Sequence, residues 1–144
     1  MLHAVLAGAL SAAAASPLPA PAVTVVVVGD IRLDGPVGRI AAEEGPAAPV
    51  ALLAEALRGD ILLGNLEQPL TGRGLAADKK FVFRAPMAAA AILKACGFDA
   101  LGLANNHVMD YGPDGLADTL TALDGAGLRR LGAGRDAEAA RRPL

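Results

Sequence analysis

Ala104-Asn105-Asn106-His107-Val108-Met109-Asp110-Tyr111-Gly112 is a polar knot directly after the apolar run Asp99-Ala100-Leu101-Gly102-Leu103. An amide followed by an imidazole at the C-terminal end of a strand, with a carboxylate three residues on, is the donor set that metal-assisted phosphoester chemistry needs. Two other places offer the same kind of ligand: Gly29-Asp30 follows a run of valines, and Asn65-Leu66-Glu67 follows Ile61-Leu62-Leu63. Asp30 and Glu67 would supply hard carboxylate oxygens, Asn106 a neutral amide oxygen and His107 an imidazole. Such a mixed set suits Mn, Fe or Zn better than a thiolate-seeking metal. A pair of ions could hold a phosphoryl group and activate water, with His107 protonating the leaving oxygen.

Each residue also has a plainer reading. Asp30 after a glycine could turn or cap the chain, and Glu67 could be a solvated loop acid. Asn105 is read mainly as a left-handed turn residue. Asp110 could orient His107 or cap the next helix, with the structural role favoured. Arg84 could meet an anionic substrate through its planar fork or pair with an acid such as Asp60 or Asp78. Lys79-Lys80 reads as a solvated turn, and Gly132-x-Gly134 as a tight turn, since it lacks the spacing of a dinucleotide loop.

The elements that must position these groups follow from patterning. Val23 to Val28 is a continuous β-branched run, as in a strand covered on both faces. Residues 31–46, with Gly35, Pro36, Gly38 and Gly45-Pro46, read as a long loop, and Pro49 to Arg58 as an amphipathic helix stopped at Gly59. Asp60 to Leu63 is a second buried strand, Phe81 to Phe83 a short strand or extended piece, and Pro86 to Ala95 a helix with Pro86 at its first position. Asp99 to Leu103 is a strand, Pro113 to Ala126 a helix with Leu116, Leu120 and Leu123 on one face, Leu128 to Leu131 a fourth strand, and Asp136 starts a last helix. This order predicts an α/β fold, a mostly parallel sheet with flanking helices joined by right-handed crossovers. Ligands of such sheets bind outside the carboxyl ends of the strands, which is where Asp30, Glu67 and Asn106-His107 fall.

Composition bounds the rest. The 144 residues are 53% hydrophobic with a formal net charge of -2, which argues for a globular chain and against nucleic-acid binding. Cys96 is the single cysteine and has no basic neighbour, so it reads as a plain buried thiol. Leu2 to Ala15 is a nearly uncharged apolar stretch followed by a Pro/Ala-rich segment, so residues 1–22 have the form of a secretory leader or flexible arm. That predicts an exported or envelope-associated protein, the alternative being a cytoplasmic one.

Gly29-Asp30, Asn65-Leu66-Glu67-x-Pro69-Leu70-Thr71, Phe83-Arg84-Ala85-Pro86, Gly97-Phe98-Asp99, Ala104-Asn105-Asn106-His107-x-x-Asp110-Tyr111-Gly112 and Gly132-Ala133-Gly134-x-x-x-Glu138-Ala139 together resemble the CapA family of bacterial capsule and poly-γ-glutamate synthesis proteins. That family is similar in its domain to calcineurin-like metallophosphoesterases. The resemblance implies a CapA-like domain over 23–144, the first half of a metallophosphoesterase-like α/β sandwich. By analogy Asp30, Glu67 and Asn106 would be metal ligands and His107 the group assisting departure. It also implies divalent metal ions as cofactor, and an anionic exopolymer or capsule-synthesis membrane proteins as partners.

Two departures stand out. Asp30-Ile31-Arg32 lacks the imidazole of the wider superfamily's Asp-x-His motif, as the CapA branch generally does, and no histidine follows His107. Four side chains cannot fill two metal shells, so water or a missing C-terminal half would complete the site. Three outcomes follow: a phosphoesterase when full length, an accessory protein of exopolymer synthesis, or an inactive, poorly soluble gene fragment with an uncovered apolar face.

Overall fold

The computed structural model describes residues 22–144; the leader expected over 1–22 lies, but for its last residue, outside the described residues. Four strands, β1 (Val25–Ile31), β2 (Ile61–Leu66), β3 (Ala100–Gly102) and β4 (Arg129–Leu131), form one sheet in the order β1-β2-β3-β4, and all neighbours are parallel. Between them run α1 (Gly35–Glu44), α2 (Ala51–Ala56), α3 (Ala90–Cys96) and α4 (Gly112–Gly125), and α5 (Ala137–Ala140) closes the chain. This is the expected α/β fold with a parallel sheet.

A sheet that grows in one direction through right-handed crossovers carries its helices on one face. Burial agrees. Leu62 and Leu66 on β2 and Leu101 on β3 lie at 3% exposure or below and join Leu93, Phe98, Leu120 and Leu123 in the core. On the opposite face Val25 is 51% exposed and Val27 69%. The valine run is therefore not covered on both faces as its composition suggested. β1 is an edge strand, and β-branched density reports strand propensity, not how many layers cover the strand.

The region read as a loop over 31–46 contains α1. Its glycines and Pro36 suggested loop, but Pro36 sits in the first turn, where a missing N–H costs nothing, and Val37 to Glu44 is otherwise good helix material. Phe81 to Phe83 forms no strand; only the isolated bridge Leu70 to Ala85 pairs there. Pro86 occupies the N-cap of a 3-10 turn, Met87–Ala89, that leads into α3, not the first helical position. β2 runs on through Asn65 and Leu66, because both keep parallel pairing with Asp30 and Ile31.

One irregularity in β1 aims the first acid. Val27 pairs with Leu63 and Asp30 with Asn65, so three steps on β1 oppose two on β2. Regular alternation would have put Asp30 on the helix-covered face with Val26 and Val28. The extra residue beside Gly29 turns it to the open face, in register with Asn65, as bulges do near binding sites.

Candidate functional site

At the carboxyl ends of β1, β2 and β3 the polar groups are joined by a continuous run of contacts. The Asn65 side-chain amide donates to Asp30 Oδ1 at 2.7 Å and to Glu67 Oε2 at 3.2 Å. Asn65 Oδ1 in turn accepts from Asn105 Nδ2 at 3.0 Å, which also donates to the Leu66 carbonyl at 2.8 Å. Asn105 Oδ1 accepts from the His107 backbone N–H at 2.9 Å. Two asparagines thus tie three strand ends together, and the Glu67 Oε1 to His107 Nε2 separation is 3.5 Å.

His107 is held from behind. Its Nδ1 lies 2.8 Å from Oδ2 of Asp110, a carboxylate of 0% exposure. The same oxygen accepts from Phe83 N–H at 2.7 Å, while Asp110 Oδ1 has the Lys79 ammonium as its ion-pair partner and accepts no hydrogen bond of ordinary geometry. Burial works to raise the Asp110 pKa, but the bonds from Lys79, His107 and Phe83 outweigh it and hold the carboxyl below its ordinary value. An ionised Asp110 can only accept, so Nδ1 carries the proton towards it and Nε2 faces the rim. The ring is also stacked: Phe83 lies 4.4 Å from it, and the Arg32 guanidinium 3.8 Å from the Phe83 ring centroid. Arg32 pairs with Asp34, while desolvation offsets part of that pair's upward pull on its pKa.

The expected residues therefore converge, with differences of role. Asp30, Glu67 and His107 share one rim. Asn106 follows β3 as expected, yet its side chain is exposed and makes no hydrogen bond among the described residues; only its carbonyl is used, accepting from Lys79 Nζ at 2.8 Å. Asn105 works through both ends of its side chain and not as a left-handed turn, since no described residue other than glycine has positive φ. Arg84 stands clear of the rim, its guanidinium 4.7 Å over the Tyr111 ring, and makes no ion pair with Asp60 or Asp78. Cys96 is the buried thiol expected, and burial pushes its pKa up.

Two residues were missed. Asn65 is read in the sequence only as part of the Asn65-Leu66-Glu67 motif, with no role of its own; the signal is its place opposite Asp30, visible only once β1 and β2 are paired. Lys79 lies in an exposed bend, as expected, but its ammonium is not left to solvent: residues 71–85 fold back across the β3–α4 loop and bring it onto Asp110. Gly74 permits that approach: at φ +86 a Cβ there would lie 2.2 Å from the Tyr111 carbonyl oxygen. The expected tight turn at Gly132 is also present, with φ +84.

The chain matches the family of bacterial capsule synthesis proteins PGA_cap across residues 24–144. It belongs to that family. Among relatives, a probable polyglutamine synthesis accessory protein of Mycobacterium tuberculosis is 45% identical over 84 residues, which is 58% of this chain and 22% of that protein. The PGA biosynthesis protein CapA of Bacillus subtilis is 33% identical over 110 residues, 74% of this chain and 29% of that protein. The capsule biosynthesis protein CapA of Bacillus anthracis is 33% identical over 118 residues, 78% and 29%. The chain thus spans less than a third of the length of these curated relatives.

The metal implied by the PGA_cap resemblance meets a partial fit. Carboxylate, amide and imidazole are suitable donor types, but among the described residues no three His, Cys, Asp or Glu side chains gather closely enough to hold an ion. One Asn65 amide group also occupies an oxygen of both Asp30 and Glu67. The described residues do not by themselves make a complete metal centre. What they can do is exchange a proton at His107 Nε2, with Nδ1 anchored on Asp110 and the Glu67 carboxylate close enough to share a ligand's hydroxyl or water with it.

Proposed function

We propose that this PGA_cap chain acts in the assembly of a capsular polymer of poly-γ-glutamate type at the bacterial cell envelope, with the Asp30-Asn65-Glu67-Asn106-His107 rim as its ligand site. The observation that carries the reading is the joining of three strand ends by Asn65 and Asn105, which builds a polar site out of strand ends 35 to 77 positions apart in the chain. The names of the relatives supply the polymer, and their capsule role supplies the location. Among the described residues no helix is long and apolar enough to cross a membrane. The partners in this reading are capsule-synthesis membrane proteins or the anionic polymer itself.

Deleting the gene in its bacterium and measuring cell-associated poly-γ-glutamate tests this. Loss of polymer, restored by the wild-type gene and not by Glu67→Gln, is the expected result. Unchanged polymer in the deletion strain would overturn it.

The anchored imidazole favours a second reading, in which the rim, with donors from elsewhere, binds divalent ions such as Mn, Fe or Zn and hydrolyses a phosphoester. Metal-dependent release of p-nitrophenol from its phosphate ester, lost in His107→Ala, is expected on that reading; no release with any of the three ions would contradict it.

A further inference from the structure

We propose that Lys79 is a positioning residue of this site, acting through Asp110 to hold the His107 ring in one orientation and one tautomer. It lies outside every motif that carries the family resemblance. It nonetheless touches three residues of the β3–α4 loop. Its ammonium pairs with Asp110 Oδ1, donates to the Asn106 carbonyl at 2.8 Å and lies 3.3 Å from His107 Nδ1.

These three contacts constrain the proton on the ring. An ammonium donates only, and an ionised carboxylate accepts only. With Lys79 satisfied by Asp110 Oδ1 and the Asn106 carbonyl, the remaining acceptor near Nδ1 is Asp110 Oδ2, at 2.8 Å. Nδ1 therefore donates there and Nε2 faces the rim. Without the ammonium, Asp110 Oδ1 would be buried with no partner, and the carboxylate would no longer be fixed against Nδ1. The ring would then be free to turn, and its Nδ1 proton would lose a fixed acceptor. The Asn106 contact adds a second effect: it pins the peptide that joins Asn106 to His107, so the exposed Asn106 side chain is presented from a fixed backbone. This role is independent of the capsule reading, because it concerns the ring's geometry and not the ligand.

Nitrogen-15 spectra of the imidazole in the full 144-residue chain test it, with His3→Gln as background so that one imidazole remains. The wild type is expected to show a single ring state with a protected, hydrogen-bonded Nδ1 proton. Lys79→Met should lose that proton signal or average the two ring nitrogens, and Asp110→Asn should do the same. The double variant should add nothing further, since one group acts through the other. Lys80→Met should leave the spectrum as it is. Should Lys79→Met lose its fold by circular dichroism, Lys79→Gln, which keeps a donor for the Asn106 carbonyl, takes its place with the same expected loss. Retention of the wild-type ring pattern in the folded Lys79 variant, or an effect that adds to that of Asp110→Asn, would overturn the assignment.

Discussion

At the scale of single residues, Asp110 is tightly held. It is a buried charge with an ion-pair partner and two further donors, and its Oδ2, accepting from Phe83 N–H, ties the 71–85 segment to the β3–α4 loop. Removing one partner of a buried pair costs about 3–5 kcal/mol, and the partial exposure of Lys79 puts this case at the low end. Urea denaturation at neutral pH is expected to find Asp110→Ala less stable by about 3 kcal/mol. The sign with pH follows from the carboxyl's lowered pKa: its stabilisation is present above the unfolded-state value and is lost as pH falls through the folded one. The gap between wild type and variant should therefore close on acidification below the ordinary carboxylate range. A gap that widened there would contradict the assignment of Asp110 as ionised.

The rim acids and His107 were legible at this scale because a strand-end rule needs only the order of apolar runs and the polar residue after each. Asn65 and Lys79 were not, for different physical reasons. Asn65 is flanked by strand residues, and its value lies in the β1 to β2 register. A Lys-Lys pair in a polar stretch is ordinarily solvated, and only the return of a long loop gives Lys79 a buried partner. Asn105 and Asn106 are adjacent and chemically identical, so nothing in the local sequence separates the one that binds the network from the one left exposed.

Among the elements, the two ends of the β3–α4 connection are buttressed by loops that follow other strands. Gly132, after β4, has φ +84, and a Cβ there would lie 2.6 Å from Ala104 Cβ and 3.0 Å from Ala104 N. Gly132→Ala would combine an unfavourable backbone region with a push on the loop that carries Asn105 and His107. Its expected cost is about 1–3 kcal/mol, read as a lower melting temperature, together with a shifted His107 amide resonance. An unmoved His107 resonance would mean that the loop yields elsewhere. A second brace joins the 71–85 segment to α4: Thr71 Oγ1 donates to Asp118 Oδ2 at 2.6 Å, and Arg73 grips the same carboxylate through Nε and Nη2. That grip holds the Asp118 carboxyl below its usual range. α1 forms where glycine and proline read as loop. Glycine and proline mark loops on average, but a proline in the first turn of a helix is compatible with it, and the pattern alone does not separate the two placements.

Across the whole molecule, the helices cover one side of the sheet while Val25, Val27 and Leu131 are exposed on the other or at its edge, at 51%, 69% and 38%. The paired registers put Asp30 and Asn65 on that same open side, so the site borders an apolar surface. Two stability responses should differ sharply. Val27→Thr removes little that is buried and is expected to stay within about 0.5 kcal/mol of wild type. Leu101→Ala, at 0% exposure on the helix side, is expected to cost about 2–5 kcal/mol. An exposed β1 edge with bare valines also invites self-association, and sedimentation velocity should show less of it in a Val25→Thr, Val27→Thr double variant. Equal stability losses for Val27→Thr and Leu101→Ala would mean that both faces are covered. The α/β class and the parallel order were readable from alternating strand and helix patterns; the one-sided covering was not, because a valine run looks the same under one layer or two.

The central claim is that three strand ends form one connected site. The most direct measurement follows the side-chain amide and backbone resonances of Asn65, Asn105 and His107 when Asp30 is replaced by alanine. If the contacts run from Asp30 through Asn65 and Asn105 to the His107 N–H, all three sets of signals move, while those of α5 stay in place. Movement confined to Asn65, with Asn105 and His107 unchanged, would contradict a connected rim.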